Sequence, residues 1–303
     1  MRVPFTGVGT ALVTPFTKTG DLNEAAMRRL ARRQIDAGIH FLCPCGTTGE
    51  NPTLTDAERM LIVEIVVDEA NGKVPVLAGA GGYDTRGVIH LAGEMARRGA
   101  SGFLSVTPYY NKPTQEGLYQ HYRAFAQSTP LPIVVYNVPG RTGVNVEVST
   151  LVRLAQIPNI VGVKEASGNV SQMCDVCRAV PPDFIVLSGD DALTLPLMAV
   201  GGRGIVSVAS NEIPAEMVQM VEIAERNDFA AARGSLAVPA PDGSELHRIE
   251  SGSGEGRDGG DGAHRRGVQA ADGVAEGRVE REDPERAERA GPAQSGARLV
   301  SCV

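Results

Sequence analysis

The feature that most constrains the fold is an eightfold alternation of short apolar segments with amphipathic ones. The apolar segments have the composition of buried strands, and each is followed by a segment whose apolar residues have helical spacing. The predicted strands are 9–16, 41–45, 74–80, 102–107, 132–137, 160–164, 184–188 and 204–209. The predicted helices are 23–37, a helix from 55, 84–98, 114–128, 147–155, 169–180, 190–200 and a helix from 214.

Strands that alternate with helices in this way form a parallel sheet whose faces the helices cover. Eight such units predict an α/β protein with a closed (β/α)8 barrel, the TIM barrel fold. The alternative is an open, doubly wound sheet. The glycine cluster at residues 79–82 follows a strand but lacks the G-x-G-x-x-G spacing of a dinucleotide loop, so we favour the barrel.

A barrel places its active groups at the C-terminal ends of its strands. Polar residues follow five of the predicted strands: Thr47 and Thr48, Tyr109 and Tyr110, Tyr136 and Asn137, Lys164 and Glu165, and Asp190 and Asp191. Each pair has a structural explanation, such as a turn, a helix N-cap or tyrosine packing. Their common position at one open end of the barrel nevertheless favours a functional site.

Lys164 has the most specific chemistry of these residues. It ends a β-branched strand, and burial disfavours a charged ammonium. A free amine can attack a ketone and form a Schiff base. The structural alternative is a lysine whose stem is buried and whose head reaches solvent. Tyr136, at the end of the neighbouring strand, has a hydroxyl that can move protons to and from the amine.

Two carboxylate-binding groups are predicted near this lysine. Residues 46–49, Gly-Thr-Thr-Gly, offer hydroxyls and backbone amides that suit a small carboxylate. Arg141, just after Pro139-Gly140, can bind a second carboxylate through two parallel hydrogen bonds, although it is also explained as a surface charge. Together these residues predict Schiff-base chemistry on a 2-oxo acid with a second acidic substrate.

Five segments resemble the motifs of the dihydrodipicolinate (4-hydroxy-tetrahydrodipicolinate) synthase family. They are residues 46–50, 106–111, 136–143, 162–166 and 188–191. The resemblance extends from about residue 5 to about residue 233. The wider superfamily includes N-acetylneuraminate lyase and other pyruvate aldolases, but Arg141 and the pair Tyr109-Tyr110 favour the synthase.

The resemblance implies a lyase that condenses pyruvate with L-aspartate 4-semialdehyde in the diaminopimelate pathway of lysine biosynthesis. Lys164 would form the Schiff base, and Tyr136, Thr47 and Tyr110 would relay protons. Tyr110 would reach the site from a neighbouring subunit of a homotetramer, a dimer of dimers. No metal or organic cofactor is expected, because the covalent intermediate forms on the lysine itself.

The resemblance also implies the substrate-binding residues. Thr47 and Thr48 would bind the pyruvate carboxylate, with Gly189 and the end of the eighth strand around Val206 beside them. Arg141 would bind the carboxylate of the semialdehyde. Two alternatives stay open: another Schiff-base aldolase of the superfamily that acts on a sugar acid, and a truncated, inactive barrel.

Feedback inhibition by lysine is predicted to be weak or absent. Lysine-inhibited relatives use histidines, an asparagine and a glutamate at a second site, and the matching positions here differ. They are Asp56, Arg59, Tyr83 and Gly87, with Tyr109 kept. An assay in millimolar lysine measures this directly, and strong inhibition would contradict the prediction.

Charge and cysteine content exclude several other classes. The net charge of −7 gives no basic surface for nucleic acid or an anionic membrane. The sequence shows no apolar run of spanning length and no signal segment, which predicts a cytoplasmic protein. An odd count of five cysteines then predicts reduced thiols, with Cys174 and Cys177 packed as small apolar residues rather than binding metal.

The C-terminal segment departs from the family. We predict a catalytic domain at 1–234 and a low-complexity, disordered tail at 235–303, which holds 12 of the 36 glycines and nine arginines but no lysine. Codons for residues 243–262 can be chosen so that a one-base shift spells a segment typical of the family's C-terminal helical region. We therefore interpret the segment as the product of a frameshift, with a genuine tail as the alternative. A frameshift would remove the family's C-terminal helices, which puts assembly of the tetramer in question.

Overall fold

A computed structural model describes residues 4–235 of the chain, and this part forms an eight-stranded parallel sheet with ten α-helices. The strands are β1 Gly7–Ala11, β2 Phe41–Cys43, β3 Leu77–Gly79, β4 Gly102–Val106, β5 Ile133–Asn137, β6 Ile160–Glu165, β7 Ile185–Ser188 and β8 Gly204–Ser207. The helices are α1 Glu24–Asp36, α2 Asp56–Ala70, α3 Thr85–Arg97, α4 Gln115–Gln127, α5 Pro139–Thr142, α6 Val148–Leu154, α7 Val170–Ala179, α8 Thr194–Ala199, α9 Pro214–Glu225 and α10 Phe229–Ser235.

The sheet closes into the predicted barrel. Its strand order is β2-β1-β8-β7-β6-β5-β4-β3, so β2 and β3 are the two ends of the row. A parallel bridge between Leu42 and Val76 joins them, and the amide of Leu42 donates to the carbonyl of Pro75 over 3.0 Å. Consecutive strands that are neighbours all the way around make a closed barrel rather than an open, doubly wound sheet.

The core has two layers, as closure requires. One layer fills the barrel and includes the fully buried Phe41, Leu77 and Val134. The other lies between the sheet and the surrounding helices. Because successive strand residues point to opposite faces, Tyr136 belongs to the barrel interior, whereas Asn137 points toward the helices.

Several strand boundaries differ from those predicted. The first strand, predicted at 9–16, is β1 at Gly7–Ala11, and the third, predicted at 74–80, is β3 at Leu77–Gly79. Pro15 and Pro75 lie in the parts that leave the sheet, and proline has no amide to donate to a strand ladder. The predicted capping box of Thr55 and Glu58 is present at the start of α2.

The tail predicted at 235–303 lies outside the described residues, apart from Ser235 at the end of α10. None of the helices between residues 4 and 235 is long and apolar enough to cross a membrane. Cys43, Cys45, Cys174 and Cys177 are free thiols, and Cys302, the fifth cysteine of the prediction, lies outside the described residues. No group of three or more histidine, cysteine or acidic side chains suited to a metal ion occurs in this part of the chain.

Acid should destabilise the barrel through His121 of α4, which is buried with its Nδ1 2.9 Å from the hydroxyl of Thr85 and its Nε2 without a hydrogen-bond partner. Burial lowers the pKa of His121 from 6.5 to about 4, although Asp84 opposes the shift. The unfolded chain therefore binds one more proton between these pH values. We expect the free energy of unfolding to fall by about 3 kcal/mol from pH 6.5 to pH 4 through this residue alone.

The measurement is urea unfolding between pH 7 and pH 4 for the native chain and two variants. His121→Gln keeps a partner for Thr85 and removes the titration, so its stability should depend less on pH. His90→Gln is the control, because His90 is exposed on α3. An equal pH dependence in the native chain and in His121→Gln would contradict the assignment.

Candidate active site

Lys164 lies near the C-terminal end of β6, with Tyr136 of β5 and Leu187 of β7 as its register partners. Its side chain is buried, with 4% of the residue exposed. The chain has four lysines, all within the described residues, and the other three, Lys18, Lys73 and Lys112, are exposed. Lys164 is thus the one lysine that the fold removes from solvent.

Tyr136 is an aromatic neighbour of this amine. The Lys164 Nζ lies over the tyrosine ring, 4.1 Å from its centroid. Tyr136 is itself buried, so both side chains are shielded from bulk water at the same level of the barrel. The structure thus brings Lys164 and Tyr136 together, as the sequence predicted, and the contact is between the amine and the face of the tyrosine ring. Proton transfer through the tyrosine hydroxyl stays a prediction.

The barrel interior around the amine holds a neutral thiol. Burial raises the pKa of Cys43 to about 12, and the charge of Lys164 opposes that shift. Gly189, at the end of β7, leaves room for the lysine stem, because a Cβ at this position would lie 2.8 Å from the Lys164 Cε. The predicted site residue Gly189 therefore lies directly against the lysine.

Asp191 joins the ends of β7 and β8 beside this site. Its carboxylate accepts hydrogen bonds from the Ser207 hydroxyl at 2.5 Å and from the amides of Val208 and Ala209 at 3.0 and 3.2 Å. Burial raises its pKa, while these hydrogen bonds and the charge of Lys164 act against the increase. The structural explanation offered for Asp190 and Asp191 from the sequence was a helix N-cap, and the N-cap here is Asp190.

A cavity of about 270 Å³ opens at this end of the barrel. Its wall includes Thr47, Tyr109, Tyr136 and Arg141, whereas Lys164 does not line it. Tyr136 therefore both lines the cavity and lies against the buried amine. A hydroxyl, two phenols and a guanidinium around one small space can bind an anionic ligand through charge and hydrogen bonds.

The remaining predicted residues differ in burial, and Thr48, Val206 and Tyr110 do not line the cavity. Thr48 is half-buried next to Thr47 and does not line the cavity, and Val206 is fully buried inside β8. Tyr110 is 89% exposed, with φ of 67°, and also does not line the cavity. The predicted relay role of Tyr110 requires a second subunit and stays a prediction.

A parallel barrel that buries a lysine at the end of β6, against a tyrosine that lines a cavity, defines a (β/α)8 enzyme with a candidate lysine nucleophile. The family model described as the dihydrodipicolinate synthetase family matches residues 4–237. The chain belongs to this enzyme family, as its motifs predicted.

Individual relatives support the assignment. The 4-hydroxy-tetrahydrodipicolinate synthase of Koribacter versatilis is 54% identical over 228 residues, covering 75% of this chain and 76% of that protein. The chloride inhibited dihydrodipicolinate synthase from Acinetobacter baumannii, solved in complex with pyruvate, is 37% identical with a TM-score of 0.76, covering 81% of this chain and 89% of that one. A solved monomeric dihydrodipicolinate synthase variant is 42% identical with a TM-score of 0.75, covering 82% and 81%.

Proposed function

We propose that this chain condenses pyruvate with L-aspartate 4-semialdehyde to give 4-hydroxy-tetrahydrodipicolinate, a step of lysine biosynthesis. The observation that carries the proposal is the burial of Lys164 against Tyr136. Lys164 is the one lysine of the four that is buried. Family membership and the pyruvate complex of a relative support the choice of substrate. A cytoplasmic homotetramer is part of the proposal, although one similar protein is a monomeric variant.

The proposed reaction balances without a cofactor. The Lys164 amine attacks the ketone carbon of pyruvate, and water leaves as the Schiff base forms. Loss of a methyl proton gives an enamine, whose carbon attacks the aldehyde and forms the new carbon–carbon bond. The amino group of the semialdehyde then attacks the Schiff-base carbon, which closes the ring and releases Lys164.

The predicted site residues have the following roles in this scheme. Tyr136, Thr47 and Tyr110 of a neighbouring subunit would carry protons, and Thr47 and Thr48 would bind the pyruvate carboxylate beside Gly189 and Val206. Arg141 is exposed at the cavity wall, so its guanidinium can bind the carboxylate of the incoming semialdehyde.

Borohydride reduction in the presence of pyruvate tests the proposal. Reduction converts a Schiff base into a stable secondary amine, which peptide mass mapping locates. We expect the adduct on Lys164 and none on Lys18, Lys73 or Lys112. An unmodified Lys164 would contradict the covalent mechanism, and turnover of a sugar acid instead of the semialdehyde would contradict the substrate.

Tyr136→Phe should separate Schiff-base formation from proton transfer. The ring that contacts the Lys164 Nζ is kept, and only the hydroxyl is lost. We expect kcat to fall by roughly 100-fold, the usual contribution of general acid–base catalysis, while pyruvate is still trapped on Lys164. Steady-state kinetics and borohydride trapping measure the two effects, and an unchanged kcat would remove Tyr136 from the relay.

The predicted insensitivity to lysine gains a physical reason from the structure. Arg59 forms an ion pair with Asp56 at 2.7 Å and donates to the carbonyl of Asn51 at 2.8 Å. Asp56 is thus already paired, and Gly87 has no side chain to bind an ammonium group. We expect the rate in millimolar lysine to stay close to the rate without it.

A further inference from the structure

A buried polar network lies on the outer face of the sheet, opposite the barrel interior. Asn137 and Glu165 are register partners at the ends of β5 and β6, and both are fully buried. The Asn137 Nδ2 donates to the Glu165 Oε2 at 3.0 Å and to the Asn145 Oδ1 at 2.9 Å. Gln172 of α7 exchanges two hydrogen bonds with Asn145, at 2.9 and 3.0 Å, and its Nε2 also approaches Glu165 at 3.5 Å.

This network holds the segment that follows β5, residues 138–147, in which Arg141 lies. The Asn137 Oδ1 accepts from the Val146 amide at 2.9 Å. From the other side, Gln115 of α4 donates to the Asn145 carbonyl at 2.8 Å and accepts from the Glu147 amide at 3.1 Å. Side chains of β5, α4 and α7 thus fix residues 145–147, the end of the segment, and these residues follow the short helix α5 that carries Arg141.

The composition of the network points to positioning rather than to stability. Glu165 is a buried carboxylate, and its partners are amide groups, with no cation paired to it among the described residues. A carboxylate without a cation is costly to bury, and apolar side chains of similar size would pack there more favourably. Hydrogen bonds, unlike apolar contacts, fix the direction of the groups that they join.

We propose that Asn137, Asn145, Glu165 and Gln172 are positioning residues for the second substrate, because they set the position of the Arg141 segment relative to Lys164. Lys164 and Glu165 are adjacent on β6 and point to opposite faces, so the network and the amine share one strand. The inference rests on the proposed function, in which Arg141 binds the semialdehyde carboxylate. It predicts that damage to the network affects the second substrate and spares pyruvate.

The test compares Asn145→Ala and Gln172→Ala with the native full-length chain in two measurements. In hydrogen exchange, peptides that cover 138–147 should exchange faster in both variants, while peptides of β5 and β6 are unchanged. In steady-state kinetics, KM for aspartate semialdehyde should rise about tenfold, the effect of losing one to two net hydrogen bonds. KM for pyruvate and the yield of borohydride trapping on Lys164 should stay within about twofold of native.

Gln120→Ala is the matched control, because this amide is exposed on α4 and donates to Glu116 of the same helix. Unchanged exchange over 138–147 would overturn the proposal, and so would equal changes in both KM values. Faster exchange with native KM values would also overturn it, because loosening the segment would then have no effect on binding of the second substrate. If the native chain traps no pyruvate, the proposed function fails, and the exchange measurement alone decides whether the network holds the segment.

Discussion

Replacement of Lys164 by methionine should abolish borohydride trapping of pyruvate and lower the rate of condensation at least about 1000-fold. The covalent intermediate needs an amine, and covalent catalysis by a single nucleophile accounts for factors of this size or larger. Methionine has a similar length and fits the apolar interior that surrounds Lys164. The variant should therefore fold, and its free energy of unfolding should equal or exceed that of the native chain, because a buried amine is removed.

The control is Lys73→Met, which removes an exposed amine from the turn after α2. This variant should keep the native rate and the native adduct on Lys164. If Lys164→Met kept more than about a tenth of the activity while remaining folded, the Schiff-base mechanism would be wrong. If its unfolding transition were lost as well, the lysine would be structural, and the kinetic result would carry no information on chemistry.

The barrel could be predicted because its strands are short β-branched runs between turn residues. The strand predicted at 132–137 is β5 at Ile133–Asn137, and the alternation of its side chains places Tyr136 inside and Asn137 outside. The first strand was predicted too long because Leu12, Val13 and Phe16 are also apolar. Leu12 and Phe16 are buried outside the barrel sheet, and apolar composition alone does not distinguish the two positions.

The candidate site was predictable where residue type and strand position coincide, as for Lys164 and Tyr136. What could not be predicted depends on contacts between distant parts of the chain. Asp191 accepts from groups that lie 16 to 18 residues further along. The hydrogen bonds that hold the Arg141 segment come from three different elements, and no local pattern specifies them. The position of the Lys164 Nζ over the ring of Tyr136, which lines the cavity, is likewise a property of the assembled barrel.

Gly204→Ala should prevent the barrel from closing between β1 and β8. Gly204 begins β8 with φ of 129°, a conformation that alanine rarely adopts. An alanine Cβ would lie 1.9 Å from the carbonyl oxygen of Gly7, its partner on β1. That oxygen belongs to backbone in the strand ladder and cannot move without breaking the pairing. We expect a loss of at least about 4 kcal/mol in the free energy of unfolding, measured by urea denaturation.

Gly38→Ala separates steric overlap from backbone strain. Gly38 follows α1 with φ of 83°, but a Cβ there meets no atom within 4 Å. Its substitution should therefore cost only about 1 kcal/mol, the price of a left-handed conformation without a clash. A cost for Gly204→Ala no larger than that for Gly38→Ala would mean that β1 and β8 can separate without loss of the fold. A barrel that is open beside β8 would expose the interior around the Lys164 amine. Such a result would therefore mean that barrel closure does not keep Lys164 buried.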